Sequence, residues 1–309
     1  MKVSVVIPCY KSENSIESVV REIEQFFEDN NQYNFEIILI NDYSPDNTLE
    51  VLKKIITKYQ NVKIISFSKN FGQHAAIMAG LNKATGDIII CMDDDGQTPP
   101  HEMYKLIDKI NEGYDVAYAN YSVKKHSVFR NWGSKLNDAM TVKLINKPKG
   151  LYQSSYFAIR KYVTDEVVKY DNSYPYLNGL ILRITKNMCN VMVEHREREH
   201  GGSTYTFKKL VSLWVNGFTA FSVTPLRVAG VVGLLMSFVG LLFSIYIIII
   251  RLLDPSIAAG WSSIMATILI MNGIMLIFTG LIGEYIGRIY ISANKSPQYV
   301  VKEEYDGEQ

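Results

Sequence analysis

Three consecutive aspartates form the densest group of reactive side chains in the sequence, within Cys91-Met-Asp-Asp-Asp-Gly-Gln-Thr-Pro-Pro100. They follow the apolar run at 88–90, a pattern typical of a buried strand that ends in a polar loop. Adjacent carboxylates repel one another unless a cation is present, and such hard oxygen ligands suit Mg²⁺ or Mn²⁺. The alternating pair Asp93 and Asp95 is therefore a candidate metal site. The alternative is a solvated acidic turn that precedes a helix beginning near Glu102.

The elements that must position these residues alternate between strands and helices along the first half of the chain. The pattern predicts strands at 2–8, 36–40, 62–67, 87–92 and 116–119, with helices at 15–27, 46–59, 73–83 and 102–112. This series indicates an α/β fold with a mainly parallel sheet, in which ligands bind beyond the carboxyl ends of the strands. Polar residues follow those predicted ends at 10, 41–42, 68–70 and 93–95.

Composition excludes several other classes of protein. The 309 residues allow about two domains. The 32 basic and 31 acidic residues give a net charge of +1, which argues against a nucleic-acid-binding protein. Three cysteines are too few for a disulfide framework, and their spacing fits no zinc site. The glycine-rich signatures of dinucleotide-binding enzymes and P-loop nucleotidases are absent from the sequence.

The C-terminal third is far more apolar than the remainder of the chain. The runs 228–250 and 255–283 contain no charged residue, and a helix needs about 20 apolar residues to cross a bilayer. We predict two transmembrane helices at about 228–250 and 262–286, the alternative being a pair of buried core helices. Basic residues flank both runs, whereas the connecting loop carries only Arg251, so the positive-inside rule places both ends in the cytosol.

The region before the first predicted span has apolar residues at helical spacing, with Trp214 and two lysines suited to a membrane surface. The alternative is an ordinary amphipathic helix packed on the soluble domain. The predicted organisation is a cytosolic catalytic domain at 1–206, a juxtamembrane helix at 207–225, a transmembrane hairpin at 226–290 and a cytosolic tail at 291–309. The tail includes a short strand at 298–302, which we expect to extend a sheet edge of a neighbouring subunit.

The sequence resembles the GT-A type glycosyltransferases of family two, in the membrane-anchored branch that acts on polyprenyl phosphates. That branch includes dolichol-phosphate mannose synthases, undecaprenyl-phosphate glucosyltransferases and undecaprenyl-phosphate formamido-arabinose transferases. The resemblance covers nearly the whole chain and is carried by the stretches 5–10, 41–46, 70–80, 85–87, 92–100 and 283–290. The stretches 70–80 and 283–290 are most similar to the formamido-arabinose transferases.

The resemblance implies a metal-dependent, inverting transfer of a sugar from a nucleotide sugar, with a UDP-sugar favoured, to undecaprenyl phosphate. It implies Mg²⁺ or Mn²⁺ on Asp93 and Asp95, a role in cell-envelope glycans such as lipopolysaccharide, a location in the cytoplasmic membrane and a homo-oligomer, by resemblance a tetramer. The implied donor-binding residues are Pro8, Tyr10, Glu13, Ile40, Asp42, Asp93 and Asp94. The implied catalytic residues are Asp95, Gln97, Arg130 and Arg198, and the implied acceptor-phosphate residues are Arg130, Ser134, Arg198 and Ser203.

The sequence departs from the family pattern at four places. Asn41 replaces an aspartate, Leu151 stands where the most similar relatives carry an aspartate, and Thr204 replaces a common lysine. Tyr10 is followed by Lys11 and Ser12 where the family usually has Asn-Glu, with Glu13 as the candidate substitute. These departures affect the choice of donor sugar more than the reaction. Two other functions remain open: a processive polysaccharide synthase, whose Q-x-x-R-W motif the chain lacks, and a catalytically silent membrane scaffold.

Chemistry independent of the resemblance favours arginines as the acceptor-phosphate ligands, because a guanidinium binds phosphate through two parallel hydrogen bonds. Arg196 is a further candidate, with pairing to Glu194, Glu197 or Glu199 as the alternative. We predict that His74 packs or caps a helix rather than acting as a base.

Overall fold

The computed structural model describes residues 1–121, residues 147–194 except 174, residue 196, scattered helical positions between 226 and 249, and residues 260–294 and 296–307. The chain divides into two compact units. The first comprises Met1–Tyr205 together with Lys295–Gln309, and the second comprises Thr206–Asn294. The C-terminal tail, treated as a separate segment in the sequence analysis, therefore belongs to the first unit.

The first unit contains eight strands that form one sheet. Their bounds are β1 Lys2–Cys9, β2 Asn34–Asn41, β3 Val62–Phe67, β4 Ile88–Cys91, β5 Val116–Tyr121, β6 Phe157–Arg160, β7 Met188–Val193 and β8 Val301–Asp306. The strand order is β7-β5-β6-β4-β1-β2-β3-β8. Strand β1 pairs in parallel with β2 and β4, β2 with β3, and β5 with β7, whereas β6 and β8 are antiparallel to their neighbours. The predicted α/β fold with a mainly parallel sheet is confirmed.

Six described helices accompany this sheet, and a seventh lies in the second unit. Their bounds are α1 Ile16–Asp29, α2 Thr48–Ile56, α3 Gln73–Lys83, α4 Met103–Asn111, α5 Lys161–Val167, α6 Leu177–Ile184 and α7 Trp261–Ala293. Helix α1 is amphipathic, and its buried residues recur at the spacing of one helix face. Helix α3 is buried along most of its length. Gly80 permits this, because a β-carbon there would collide with Val6 of β1.

The parallel strands β1, β2 and β4 set the position of the candidate site. Register pairs Val3 with Ile88 and Cys9 with Asn41, so the carboxyl ends of these strands lie at the same edge of the sheet. The core on which they rest is aliphatic, and the central strand residues are fully buried. The loops that leave β1, β2 and β4 therefore start from a rigid support and lie side by side.

The tail strand lies at Val301–Asp306 rather than 298–302. It pairs antiparallel with β3 of the same chain and forms an edge of the sheet. Phe67 of β3 stacks on Tyr299 at a ring-centroid distance of 5.3 Å. Gln298 Nε2 donates to the carbonyls of Tyr170 at 2.9 Å and Asn172 at 3.0 Å. These contacts hold the residues that precede β8 against the first unit.

The second unit is described chiefly through α7. Large apolar side chains on this helix are exposed, among them Met275, Leu276, Ile277 and Ile289. Within the part of the chain that the structure describes, no helix meets the combined length and hydropathy expected of a membrane span. The predicted spans at 228–250 and 262–286 are therefore not shown. The predicted juxtamembrane helix at 207–225 lies outside the described residues.

Candidate active site

The three aspartates after β4 have different surroundings, although they are consecutive. Asp94 is the inward one: its Oδ2 accepts hydrogen bonds from Tyr10 N, at 3.0 Å, and from Ser12 Oγ. Burial raises the pKa of Asp94 to about 6, although these two hydrogen bonds act in the opposite direction. Asp94, implied as a donor-binding residue, thus fastens the loop between β1 and α1.

Asp93 is held from two sides by neutral donors. Gln73 Nε2, on the first residue of α3, donates to Asp93 Oδ1 at 2.8 Å. Ser155 Oγ, in the segment before β6, donates to Asp93 Oδ2. Each carboxylate oxygen therefore receives a hydrogen bond from a different element of the fold. Sequence reasoning missed both residues. Gln73 lies inside the motif-like stretch 70–80, but no sequence signal marks Ser155.

Asp95 and Gln97 form the outer part of the same loop. Gln97 N donates to Asp95 Oδ1 at 3.1 Å, a short turn closed by a side chain. The carbonyl of Gln97 accepts a hydrogen bond from Arg196 N at 3.1 Å. The segment that follows β7 is thereby joined to the acidic loop.

The arrangement of oxygen ligands fits a divalent cation bound by two carboxylates. Among the described residues, no group of three or more His, Cys, Asp or Glu side chains is suitable for a metal ion. Mg²⁺ commonly uses only one or two protein carboxylates and completes its shell with water and substrate phosphates. Asp93 and Asp95 supply two carboxylates, the number that such a shell commonly takes from the protein.

Asp42, implied as a donor-binding residue, connects β2 to α3. Its Oδ1 accepts from Phe71 N at 2.7 Å and its Oδ2 from Gly72 N at 2.9 Å. Burial raises the pKa of Asp42, and the two backbone amides partly offset that effect. Gly72 has a φ of 90°, which favours glycine. Both carboxylate oxygens are engaged within the chain, so Asp42 secures the entry to α3.

Asn41, the departure from the family aspartate, has a structural explanation. Its Nδ2 donates to Ser66 Oγ at 3.1 Å on β3, and its Oδ1 accepts from Ser44 N at 3.1 Å. The side chain is buried. A carboxylate only accepts hydrogen bonds when ionised, whereas an amide can donate to one partner and accept from another. Asn41 therefore closes its own turn and ties that turn to β3.

The remaining donor-binding predictions differ in exposure. Tyr10 presents a half-exposed ring, whereas Pro8 is buried at the end of β1. Ile40 is fully buried, so its side chain belongs to the core and only its main chain can meet a ligand. Glu13 Oε2 accepts from Asn47 N at 2.9 Å, at the start of α2. Glu13 thus links two of the loops at this edge of the sheet.

Arg196 pairs with a glutamate that the sequence did not suggest. Its Nη1 lies 3.0 Å and 2.8 Å from the two carboxylate oxygens of Glu22 on α1. Both side chains are partly exposed. The pair holds the segment after β7 against α1. The alternative partners Glu197 and Glu199 lie outside the described residues.

Four predicted site residues lie outside the described residues: Arg130, Ser134, Arg198 and Ser203. The departure Thr204 also lies outside them.

His74 and Leu151 have packing environments. The His74 ring lies 5.7 Å from the Tyr176 ring in an edge-on arrangement, and burial lowers the pKa of His74. Its Nδ1 accepts no hydrogen bond from the residues that the structure describes. A neutral, packed imidazole agrees with the predicted role of His74. Leu151 is buried, and its main-chain N–H donates to the carbonyl of Pro148 at 3.2 Å.

Comparisons with known proteins agree with this geometry. The profile of Glycosyl transferase family 2 matches residues 4–168, and that of the GtrB C-terminal hairpin matches residues 224–289. The undecaprenyl-phosphate 4-deoxy-4-formamido-L-arabinose transferase of Proteus mirabilis is 34% identical over 308 residues, which cover 97% of this chain and 93% of the relative. The uncharacterized glycosyltransferase YkcC of Bacillus subtilis is 33% identical over 306 residues, covering 98% and 94%.

Solved structures share the fold. Glucosyl-3-phosphoglycerate synthase from Mycobacterium tuberculosis, in complex with Mn²⁺ and UDP-glucose, superposes with a TM-score of 0.52 at 16% identity. The match covers 71% of this chain and 77% of that one. The family match spans more than half of the chain, and the related sequences span nearly all of it. The chain therefore belongs to glycosyl transferase family 2 and is a glycosyltransferase.

Proposed function

We propose that the protein transfers a sugar from a nucleotide-sugar donor, a UDP-sugar, to the phosphate of a polyprenyl phosphate such as undecaprenyl phosphate. The observation that carries the proposal is the alternating pair Asp93 and Asp95 in the loop at the carboxyl end of β4. Hydrogen bonds from the loop after β1, from the first residue of α3 and from the segment before β6 hold this acidic loop in place. Such an edge of a parallel sheet is where nucleotide ligands bind. The undecaprenyl-phosphate acceptor in the printed names of the relatives supports the lipid acceptor.

A divalent cation fits this proposal. Asp93 and Asp95 would hold Mg²⁺ or Mn²⁺, with Gln97 beside them. The chemistry that the cation supplies when bound is neutralisation of the charge that develops on the departing diphosphate. The role of the protein side chains is to hold the cation where the charge on the diphosphate develops. Asp94 supports this role indirectly, because its hydrogen bonds to Tyr10 and Ser12 hold the loop that also presents the Tyr10 ring.

The acceptor chemistry accounts for the absence of an assigned general base. A phosphate monoester oxygen is already anionic near neutral pH, so it can attack the anomeric carbon directly. The new bond forms from that oxygen to the anomeric carbon while the bond to the nucleotide diphosphate breaks and its electron pair leaves with the diphosphate. A single displacement of this kind inverts the anomeric centre. Catalysis then consists mainly of positioning, for which Arg130, Ser134, Arg198 and Ser203 are the proposed phosphate ligands.

The lipid acceptor requires the catalytic unit to work beside a membrane. We propose that 228–250 and 262–286 cross the cytoplasmic membrane and that both termini lie in the cytosol. The uncharged sequence runs, the match to a C-terminal hairpin family and the exposed apolar side chains of α7 support this proposal. A homo-oligomer, by resemblance a tetramer, and a role in cell-envelope glycan modification complete the proposal.

An extraction assay tests the reaction. The purified full-length protein is supplied with undecaprenyl phosphate, Mn²⁺ or Mg²⁺ and one radiolabelled donor per tube. The donors are UDP-glucose, UDP-galactose, UDP-N-acetylglucosamine, GDP-mannose and UDP-4-deoxy-4-formamido-L-arabinose, which carries the sugar named for the relatives. We expect metal-dependent label in the organic phase with one donor.

Two variants and three contrary outcomes make the assay decisive. Asp95→Asn should abolish transfer, whereas Asp108→Asn, an exposed aspartate on α4, should leave it unchanged. Full activity of Asp95→Asn would refute the role of Asp95. A long water-soluble polymer would identify a processive synthase. Nucleotide binding without product from any donor would identify a scaffold.

A further inference from the structure

Asp93 differs from the other two aspartates in how it is held. Asp94 faces the loop after β1, and Asp95 accepts from the main chain two residues further on. Asp93 instead accepts from two side chains that are distant in sequence, Gln73 and Ser155.

The two donors act on different oxygens. Gln73 Nε2 donates to Oδ1 at 2.8 Å and Ser155 Oγ donates to Oδ2. A carboxylate with one donor on each oxygen cannot rotate about its terminal bond without losing both hydrogen bonds. An ionised carboxylate has about four acceptor positions, so these two hydrogen bonds orient the group without exhausting its capacity to bind a cation.

We propose that Gln73 and Ser155 are positioning residues for Asp93, and that this pair sets how tightly the site binds a divalent cation together with a nucleoside diphosphate. The inference rests on the proposed function, in which Asp93 is one of two carboxylates that hold the cation. Partners that orient metal ligands typically change metal affinity by about 10- to 100-fold when they are removed. Both residues stand on supported elements: Gln73 begins α3, and Ser155 lies two residues before β6.

Equilibrium binding of Mn²⁺ in the presence of UDP tests this inference without turnover. The full-length protein in detergent is titrated with Mn²⁺ at a fixed UDP concentration, and free Mn²⁺ is measured by its electron paramagnetic resonance signal. Gln73→Met keeps the length of the side chain and removes the donor, and Ser155→Ala removes the hydroxyl. We expect each variant to raise the apparent Kd of Mn²⁺ about 10-fold, whereas Ser155→Thr, which keeps a hydroxyl, should stay within about twofold of the wild type.

Matched control variants distinguish a loss of positioning from a general loss of structure, since only the first is specific to the contacts of Asp93. Gln25→Met and Ser18→Ala make the same chemical changes on α1, away from the acidic loop, and should leave the Kd unchanged. If Ser155→Ala fails to fold, Gln73→Met at the exposed start of α3 decides the result. Wild-type affinity in both Gln73→Met and Ser155→Ala would overturn the inference while leaving the proposed function intact. Absence of Mn²⁺ binding by the wild-type protein with UDP would overturn both.

Discussion

Glu36 and Thr85 are joined by two hydrogen bonds, from Thr85 N at 2.7 Å and from Thr85 Oγ1 at 2.8 Å, both to Glu36 Oε1. Ser4 Oγ donates to the same oxygen at 2.6 Å, and Lys2 and Lys63 contact the other at 3.2 Å and 3.3 Å. This network ties together the amino ends of β1, β2 and β3 and the loop before β4. It lies at the end of the sheet opposite the acidic loop, so it contributes to the stability of the unit rather than to its chemistry.

The Glu36 network predicts a pH-dependent stability. Burial raises the pKa of Glu36, but hydrogen bonds from Ser4, Thr85 and Lys2 outweigh it and lower the pKa to about 2. A carboxyl whose pKa falls on folding stabilises the protein above its unfolded pKa of about 4.5, and that contribution is lost as the pH falls towards 2. The shift corresponds to about 3 kcal/mol.

Glu36→Gln should therefore lower the free energy of unfolding at pH 7 by about 3 kcal/mol and flatten the pH dependence between 5 and 2. Thermal unfolding followed by circular dichroism at several pH values measures both effects. Glu50→Gln, an exposed glutamate paired with Lys53 on α2, is the matched control and should change little. Equal pH profiles for Glu36→Gln and the wild type would contradict the prediction.

Restoring the family residue at position 41 should reduce stability and leave the donor preference unchanged. Asn41→Asp removes the donation to Ser66 and leaves a buried carboxylate beside a hydroxyl. A lost buried hydrogen bond costs about 1–3 kcal/mol. The measurements are the unfolding midpoint and the relative rates with the panel of donors. A changed order of donors, with stability intact, would show that Asn41 selects the sugar.

The ion pair between Glu22 and Arg196 should affect the acceptor more than the donor. It holds the segment after β7, whose Arg196 N–H also donates to the carbonyl of Gln97. Glu22→Gln and Arg196→Gln should each raise the KM for polyprenyl phosphate several-fold and leave UDP binding unchanged. The double variant should be no worse than either single one, because the two residues act as one pair. Additive effects would indicate that Arg196 binds substrate independently of Glu22.

The contacts of Gln298 predict a role in holding the tail. Gln298→Ala removes two partly buried hydrogen bonds and should lower the free energy of unfolding by about 1–3 kcal/mol. Limited proteolysis should then cleave the tail faster. Lys302→Ala, an exposed change in β8, should have little effect. Unaltered proteolysis of Gln298→Ala would mean that the pairing of β8 with β3 holds the tail without this residue.

The sequence predicts the central fold well because the parallel strands β1 to β4 are continuous apolar runs separated by helical periodicity. It does not predict β6 or β7, since β6 runs directly into α5 with no turn between them and β7 includes the polar Asn190. The tail strand is shifted towards the C-terminus because its register follows from pairing with β3, a contact between segments far apart in sequence. Local patterns carry no information about such pairings.

The candidate site likewise combines a motif that can be read from the local sequence with contacts between residues far apart in the sequence. The acidic motif and its place after β4 are readable from the sequence. The contact of Ser155 with Asp93 spans 62 positions, and that of Arg196 with Glu22 spans 174. Both depend on the tertiary fold. The role of Asn41 likewise depends on a distant partner, Ser66 on β3.

The pairing of β8 with β3 has a topological consequence. The polypeptide leaves the first unit after Tyr205 and returns to it at Lys295, and β8 then completes the sheet that begins with β1. Whatever the intervening segment does, its two ends are tethered to one body. If that segment crosses a bilayer, the number of crossings must be even, since an odd number would leave β8 and β3 on opposite sides. The edge of the sheet thus fixes the parity of the membrane topology.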